Sequence, residues 1–276
     1  MALRDYDEWM RSPFKTCWDR VDRAELHRQS LTKIWNGLDT ASTYTSHGKI
    51  DADGTGKFFI TPVRRDWLLP FSLEFGEMLY QLRGALDACV YDAAVLEFGQ
   101  DPPPDEQKWN FPITEDTGKF EEAVKRMPKI TNDMGAILET VQPYTTTTGT
   151  HEGQQWEIGK VLAILNDWAR IDRHRKLHLV GTIPTNGVLR IGHPPAMTIE
   201  YCNFMMGDVL ENKSQIAEFK LANYVPGSKI YMKPTFSFHI AVDETPRCDL
   251  QEISTAMMLS VQVVREIFEG HYGIKR

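Results

Sequence analysis

"NDWARIDRHRKLHLVGTI", residues 166–183, is where the chain changes its pattern. Up to Ile171, apolar residues recur at helical spacing: Trp156, Val161, Leu162, Leu165, Trp168 and Ile171 point one way. Beyond it, "HLVGTI", "GVLRIG", "MTIEYCNFM", "QIAEFKLA", "KIYMK" and "TFSFHIAVDE" are short, rich in β-branched and aromatic residues, and divided by Gly, Pro or Asn. That composition predicts an antiparallel sheet. A helix over 155–178 therefore hands over to strands across about 179–243.

The segments before this point are mostly helical. "SPFKTCWDRVDRAELHRQSLTKIWNGL" offers Ser12 as a cap and Pro13 at the first helical position, where no amide is missed. A second helix is expected over 72–97, starting at Ser72 after Pro70, with Phe75, Leu79, Leu82, Leu86, Cys89, Ala93 and Leu96 as its stripe. "GQDPPPDEQKW" stops it, because consecutive prolines cannot donate to a helix. Shorter helices are expected at 118–127 and 131–141, and "KFFITPV" reads as a strand or hairpin. "QPYTTTTGTHEGQQ" reads as a polar loop. The last helix, 249–270, has Asp249 as cap, Glu252 at the capping-box position, and Leu250, Ile253, Met257, Val261, Val264 and Phe268 facing inward. These readings give an α+β fold in one domain, 1–276. A bundle of about five helices (12–178 with 249–270) carries an inserted or appended antiparallel sheet before its last helix.

Composition narrows the function classes. The 276 residues are 42% hydrophobic and 25% charged, ordinary for a soluble globular protein. A net charge of −7 is wrong for a protein that binds nucleic acid over its whole surface, so any such site must be local. Cys17, Cys89, Cys202 and Cys248 form no CxxC pair, which fits a cytoplasmic protein better than a zinc ribbon or a disulfide framework. No apolar run reaches about 18 residues, so no membrane partner is expected. "DADGTG" at 51–56 resembles the start of a calcium loop, but Pro62 stands where the closing glutamate belongs.

Arg170, Arg173, Arg175 and Lys176 stand against Asp172 in the last turns of a helix. Cations there complement the helix dipole, which is a sufficient structural reason for most of them. His174 and His178, four apart, share a face, but HxxxH without the glutamate of HExxH is a weak metal signal, and neither metal nor cofactor is assigned. A catalytic reading also exists. His178 or His174 could move the ribose 2′-hydroxyl proton of RNA or protonate the leaving oxygen, with Arg173 stabilising the phosphate charge. On the second helix, Arg83 and Asp87 are four apart beside Leu79, Leu82 and Leu86. They form either a partly buried structural pair or part of a cleft in which Arg83, Asp87, Arg170, Arg175 and Lys176 bind substrate.

Four motifs in order, "LRGALDA" (82–88), "FPI" (111–113), "QPY" (142–144) and "DRHR" (172–175), resemble a family of uncharacterised bacterial proteins with LRSALDH-like, FPI, QPY and DKHR-like segments. The LRSALDH helix is similar in turn to the R-x4–6-H signature of HEPN-type helical bundles. That likeness implies RNA or nucleotide binding, and for many members metal-independent ribonuclease activity in bacterial defence or toxin systems. Here Ala88 stands where the histidine of that pattern belongs, and alanine cannot transfer a proton. Whether the protein is an enzyme is thus open. The alternative is a non-enzymatic assembly or partner-binding protein whose LRGALD and DRHR stretches fix helix register. A homodimer through helix faces fits either reading.

Overall fold

The computed structural model describes residues 12–38, 44–62, 66–128, 130–174, 179–205, 210, 212–242 and 250–274. Six helices and antiparallel sheets make an α+β fold among these residues. The chain forms two compact units: Met1–Thr32, Leu73–Leu177 and Gln251–Arg276 in one, and Lys33–Ser72 and His178–Leu250 in the other.

The helical unit is built on α1 (Lys15–Asn36) and α2 (Leu68–Phe98). They run antiparallel, and the pairs that cross between them record it. The Phe14 N–H donates to Asp92, Cys17 Sγ lies 3.2 Å from Cys89 Sγ, Arg20 donates to Gln81, and His27 Nδ1 meets Glu74 at 2.7 Å. Helix α5 (Ile158–His174) lies along α2 in the same antiparallel sense. Phe75 packs edge-on to Trp168 with ring centroids 5.8 Å apart, and the Asp172 carboxylate sits so close to Gly76 that a Cβ there would meet it at 2.5 Å. Helix α6 (Leu250–His271) completes the bundle; Trp18 Nε1 donates to Glu269, and Phe14 meets Phe268. Its expected face is buried: Met257 and Phe268 have no exposure, Val261 and Val264 almost none. Full burial of such side chains stabilises by about 1.5–3 kcal/mol each.

Several boundaries differ from the sequence reading for local reasons. Helix α1 starts at Lys15, after a turn in which the Lys15 N–H reaches the Ser12 carbonyl. Phe14 takes φ +61°, a left-handed conformation costly for a bulky residue, and its ring is fully buried against Phe268 and Tyr272. Helix α2 begins at Leu68, four residues before Ser72, because Pro70 sits in the first turn where its missing N–H has no partner to lose. Two short helices follow, α3 (Thr117–Arg126), capped by Asp116, and α4 (Asn132–Thr140), capped by Thr131. The supposed loop after α4 holds a hairpin, β3 (Thr148–His151) with β4 (Gln154–Glu157). Glu152 and Gly153 turn it at φ +49° and +83°, the signature of a type I′ turn. Helix α5 accordingly starts three residues later than expected. Asp249 lies outside the described residues.

The β-rich unit draws on residues 33–72 as well as 178–250, because an early hairpin joins the later strands. Strands β1 (Tyr44–Ile50) and β2 (Thr55–Pro62) pair with β7 (Ser214–Ala222) and β6 (Thr198–Phe204) in the order β1-β2-β7-β6. The ring of Phe219 covers Gly56, where a Cβ would come within 2.1 Å of it. The DADGTG segment is the β1–β2 turn: Gly54 takes φ +84°, and Asp53 accepts from the Thr55 N–H and from Lys220, which holds its carboxyl well below the usual range. Segments expected as separate strands are continuous in β5 (Leu179–Gly192) and β8 (Tyr231–Val242), which pair with each other. Phe58, Ile60, Leu210, Ile216 and Ala217 form the core of this unit. No helix among the described residues is long and apolar enough to cross a membrane.

Candidate functional site

Three of the four short motifs, LRGALDA, FPI and QPY, meet at one segment of the helical unit, Phe111–Pro112. Arg83 donates from Nε to Asn166 Oδ1 (3.1 Å), from Nη1 to Asp87 (2.6 Å) and from Nη2 to the Phe111 carbonyl (2.9 Å). Asp87 Oδ1 in turn accepts the Phe111 N–H at 2.9 Å. Gln142, with no exposed surface, donates from Nε2 to the carbonyls of Pro112 and Leu138, both at 2.9 Å, and its Oε1 accepts the Thr114 N–H at 3.0 Å. The corner at 142–143 lies on the first turn of α5. A Cβ on Gly159 would come within 2.1 Å of the Gln142 carbonyl oxygen, so only glycine allows that approach. Arg83 therefore clamps α2, α5 and the connecting segment together, with 14% of its side chain exposed.

The same helix face borders an open cleft of about 1010 Å³. Along α2, Tyr80, Arg83, Gly84, Asp87, Ala88, Tyr91, Asp92, Val95 and Leu96 line it at helical spacing. Ser12, Thr16 and Arg20 of the α1 region, Asp101 and Trp109 of the connecting segment, and Arg173 of α5 also line it. Arg20, Arg83 and Arg173 are balanced by Asp87, Asp92 and Asp101. Two of the arginines differ from Arg83. Arg20 Nη1 donates to Gln81 (3.3 Å), and its guanidinium lies 5.8 Å from the centre of the Tyr80 ring. Arg173 is exposed and bonds its own helix, from Nε to the Ala169 carbonyl at 3.4 Å. Neither pairs with a carboxylate among the described residues.

The acidic side of the cleft is electrostatically unusual. Burial pushes the Asp92 carboxyl up to about 6; the Phe14 N–H pulls the other way, and the charge of Asp101 adds to the rise. The Tyr91 hydroxyl donates to Asp101 Oδ1 at 3.0 Å, and desolvation together with that bond raises the phenol to about 12. A desolvated carboxylate beside a second one, in a cleft, is the environment found at functional sites.

The residues expected from the sequence fall into three groups. Arg83, Asp87 and Arg173 all line the cleft, as does Ala88. Arg170 does not join them: it pairs with Asp167 at 3.6 Å, both well exposed. Arg175, Lys176 and His178 lie outside the described residues, and His174 is described only as the last residue of α5. Asp172 turns toward α2 at Gly76, where burial and then the charge of Glu77 raise its carboxyl. Sequence reading missed Arg20, Asp92, Asp101 and Tyr91. A signal for two of them was present, since Tyr91 and Asp92 continue the 3–4 spacing of Tyr80, Arg83–Gly84 and Asp87–Ala88. No group of three or more His, Cys, Asp or Glu among the described residues could hold a metal ion. Comparison with protein-family models, curated proteins and solved structures finds no match to this chain.

Proposed function

We propose that the cleft of the helical unit binds a nucleotide through its phosphates. The observation that carries this is two arginines from different helices, Arg20 and Arg173, on one open cleft, neither paired with a carboxylate among the described residues. Guanidinium groups match phosphate oxygens in geometry and charge, and arginines left without an acidic partner keep that capacity available. The volume of about 1010 Å³ is at the upper end of small-molecule sites and admits a nucleoside diphosphate. The balanced charge of the lining and the net charge of −7 favour a compact ligand over a long polyanion, which needs a basic track. The expected likeness to HEPN-type bundles, some of which bind nucleotides, points the same way.

The alternative of a purely structural role is favoured at Arg83, Asp87 and Gln142, whose polar groups are engaged within the fold. In this reading Arg83 serves the fold, and phosphate recognition falls to Arg20 and Arg173. Ribonuclease chemistry is not part of the proposal, because no histidine lines the cleft among the described residues.

Calorimetric titration of the full chain with pyrophosphate, ADP and a short single-stranded RNA tests the proposal. Pyrophosphate and ADP should bind, and Arg20→Gln/Arg173→Gln should weaken both at least tenfold while the circular dichroism spectrum stays unchanged. Failure of pyrophosphate and ADP to bind, or equal binding by the double variant, overturns it. RNA binding much tighter than ADP at the same arginines replaces it with an RNA groove.

A further inference from the structure

The cleft is polarised along α2. Arg20 sits at Tyr80 and Gln81, beside Arg83, whereas Asp92 and the Tyr91–Asp101 pair lie further along the helix. Arg83 and Asp92 are nine positions apart, which at 1.5 Å per residue is about 13.5 Å along the axis. A ligand that fills the cleft therefore meets Arg20 and Arg173, with the Arg83–Asp87 pair, at one end, and Asp92 and Asp101 at the other. This separation is of the kind that a base and a diphosphate, joined by a ribose, bridge.

Resting on the nucleotide reading above, we infer that Asp92, supported by Asp101, reads the Watson–Crick edge of a guanine whose phosphates lie at the arginine end. An ionised carboxylate only accepts hydrogen bonds. Guanine places two donors side by side on that edge, N1–H and the N2 amino group, and so can engage one carboxylate with both oxygens. Adenine and cytosine set a ring acceptor beside their amino group, which repels a carboxylate; uracil flanks its one N–H with two carbonyls.

Two observations favour the carboxylates as recognition groups rather than fold contacts. Within the fold, Asp92 accepts a main-chain N–H and Asp101 a phenol O–H, and no lysine or arginine pairs with either among the described residues. The desolvation of Asp92 and its repulsion by Asp101 are thus met by no cation among the described residues, and a donor-bearing ligand relieves them. Burial raises the Asp92 carboxyl most, the Phe14 N–H lowers it, and the charge of Asp101 on the connecting segment raises it further; Asp87 and Tyr91 of its own helix and Arg20 of α1 line the same cleft.

Calorimetry with the full chain separates this inference from the one it rests on. The probes are pyrophosphate, GDP, inosine diphosphate, ADP and CDP at pH 7.5. GDP should bind at least tenfold tighter than ADP or CDP, and inosine diphosphate, which lacks the N2 amino group, should fall between. Asp92→Asn should bring GDP within about threefold of ADP, and pyrophosphate binding, set at the other end, reports that the variant is folded. The GDP-to-ADP affinity ratio should also fall as the pH drops below about 6; taking the ratio cancels phosphate protonation. GDP and ADP binding alike, or a GDP preference that survives Asp92→Asn, overturns the inference while pyrophosphate binding keeps the nucleotide reading. No binding of pyrophosphate or of any nucleotide overturns both.

Discussion

Replacing Gln142 with Leu should remove about 3 kcal/mol of stability. The side chain has no exposed surface and serves three main-chain groups: it donates to Pro112 and Leu138 and accepts from Thr114. A hydrogen bond of this kind contributes roughly 1 kcal/mol net, and a buried group left without a partner costs about 1–3 kcal/mol. Leucine keeps most of the volume, so little cavity penalty adds to the three lost bonds. For a chain of this size, 3 kcal/mol is a fall in Tm of roughly 6–12 °C. Urea denaturation followed by tryptophan fluorescence measures the loss directly, since Trp109, Trp156 and Trp168 lie in the same helical unit. Glutamate is the informative comparison. It keeps the acceptor for Thr114 but sets a carboxylate against two carbonyl oxygens, so Gln142→Glu should be at least as destabilising as Gln142→Leu. A loss below 1 kcal/mol for both would refute the view that this corner holds the Phe111–Pro112 segment in place.

Gly159→Ala should cost more than 3 kcal/mol, because the new Cβ would overlap main-chain atoms of Gln142 and Pro143 that cannot rotate away; thermal denaturation reads it. Arg83→Ala should cost about 2–3 kcal/mol in urea titration, below a fully buried pair because the Asp87 side chain keeps 35% of its exposure. Asp92→Asn should raise Tm at pH 8. Folding lifts the Asp92 carboxyl from 3.8 to about 6, so its ionised form is penalised in the native state above that value. The penalty fades as the pH falls through 6 and is gone below about 4, so the two proteins should converge there. A Tm difference that is the same at pH 8 and pH 4 would show that Asp92 is not desolvated as described.

The α+β class, the long helices and the buried face of α6 were legible because side-chain periodicity alone sets them. Met257, Val261, Val264 and Phe268 repeat at helical spacing whatever they pack against. The β3–β4 hairpin was not legible, since its strands are four residues each and their polar sequence "TGTH" and "QQWE" has no apolar face to betray it. Its turn depends on Glu152 taking a positive φ, which a sequence scan for Asn-Gly or Asp-Gly passes over. Likewise Pro70 reads as a helix boundary until the first turn is seen to begin at Leu68.

The sequence by itself determined that Arg83 and Asp87, four apart on α2, share a face. Only the tertiary structure decided their fates. Arg83 and Asp87 are engaged by Phe111 and Asn166, groups 24 to 83 positions away in the chain. Asp92 meets the Phe14 N–H from the turn before α1, and Arg20 and Arg173 reach the cleft from α1 and α5. Helical spacing is a local property fixed by 3.6 residues per turn, whereas the partner of a charged side chain depends on which distant segment the packed bundle brings to it.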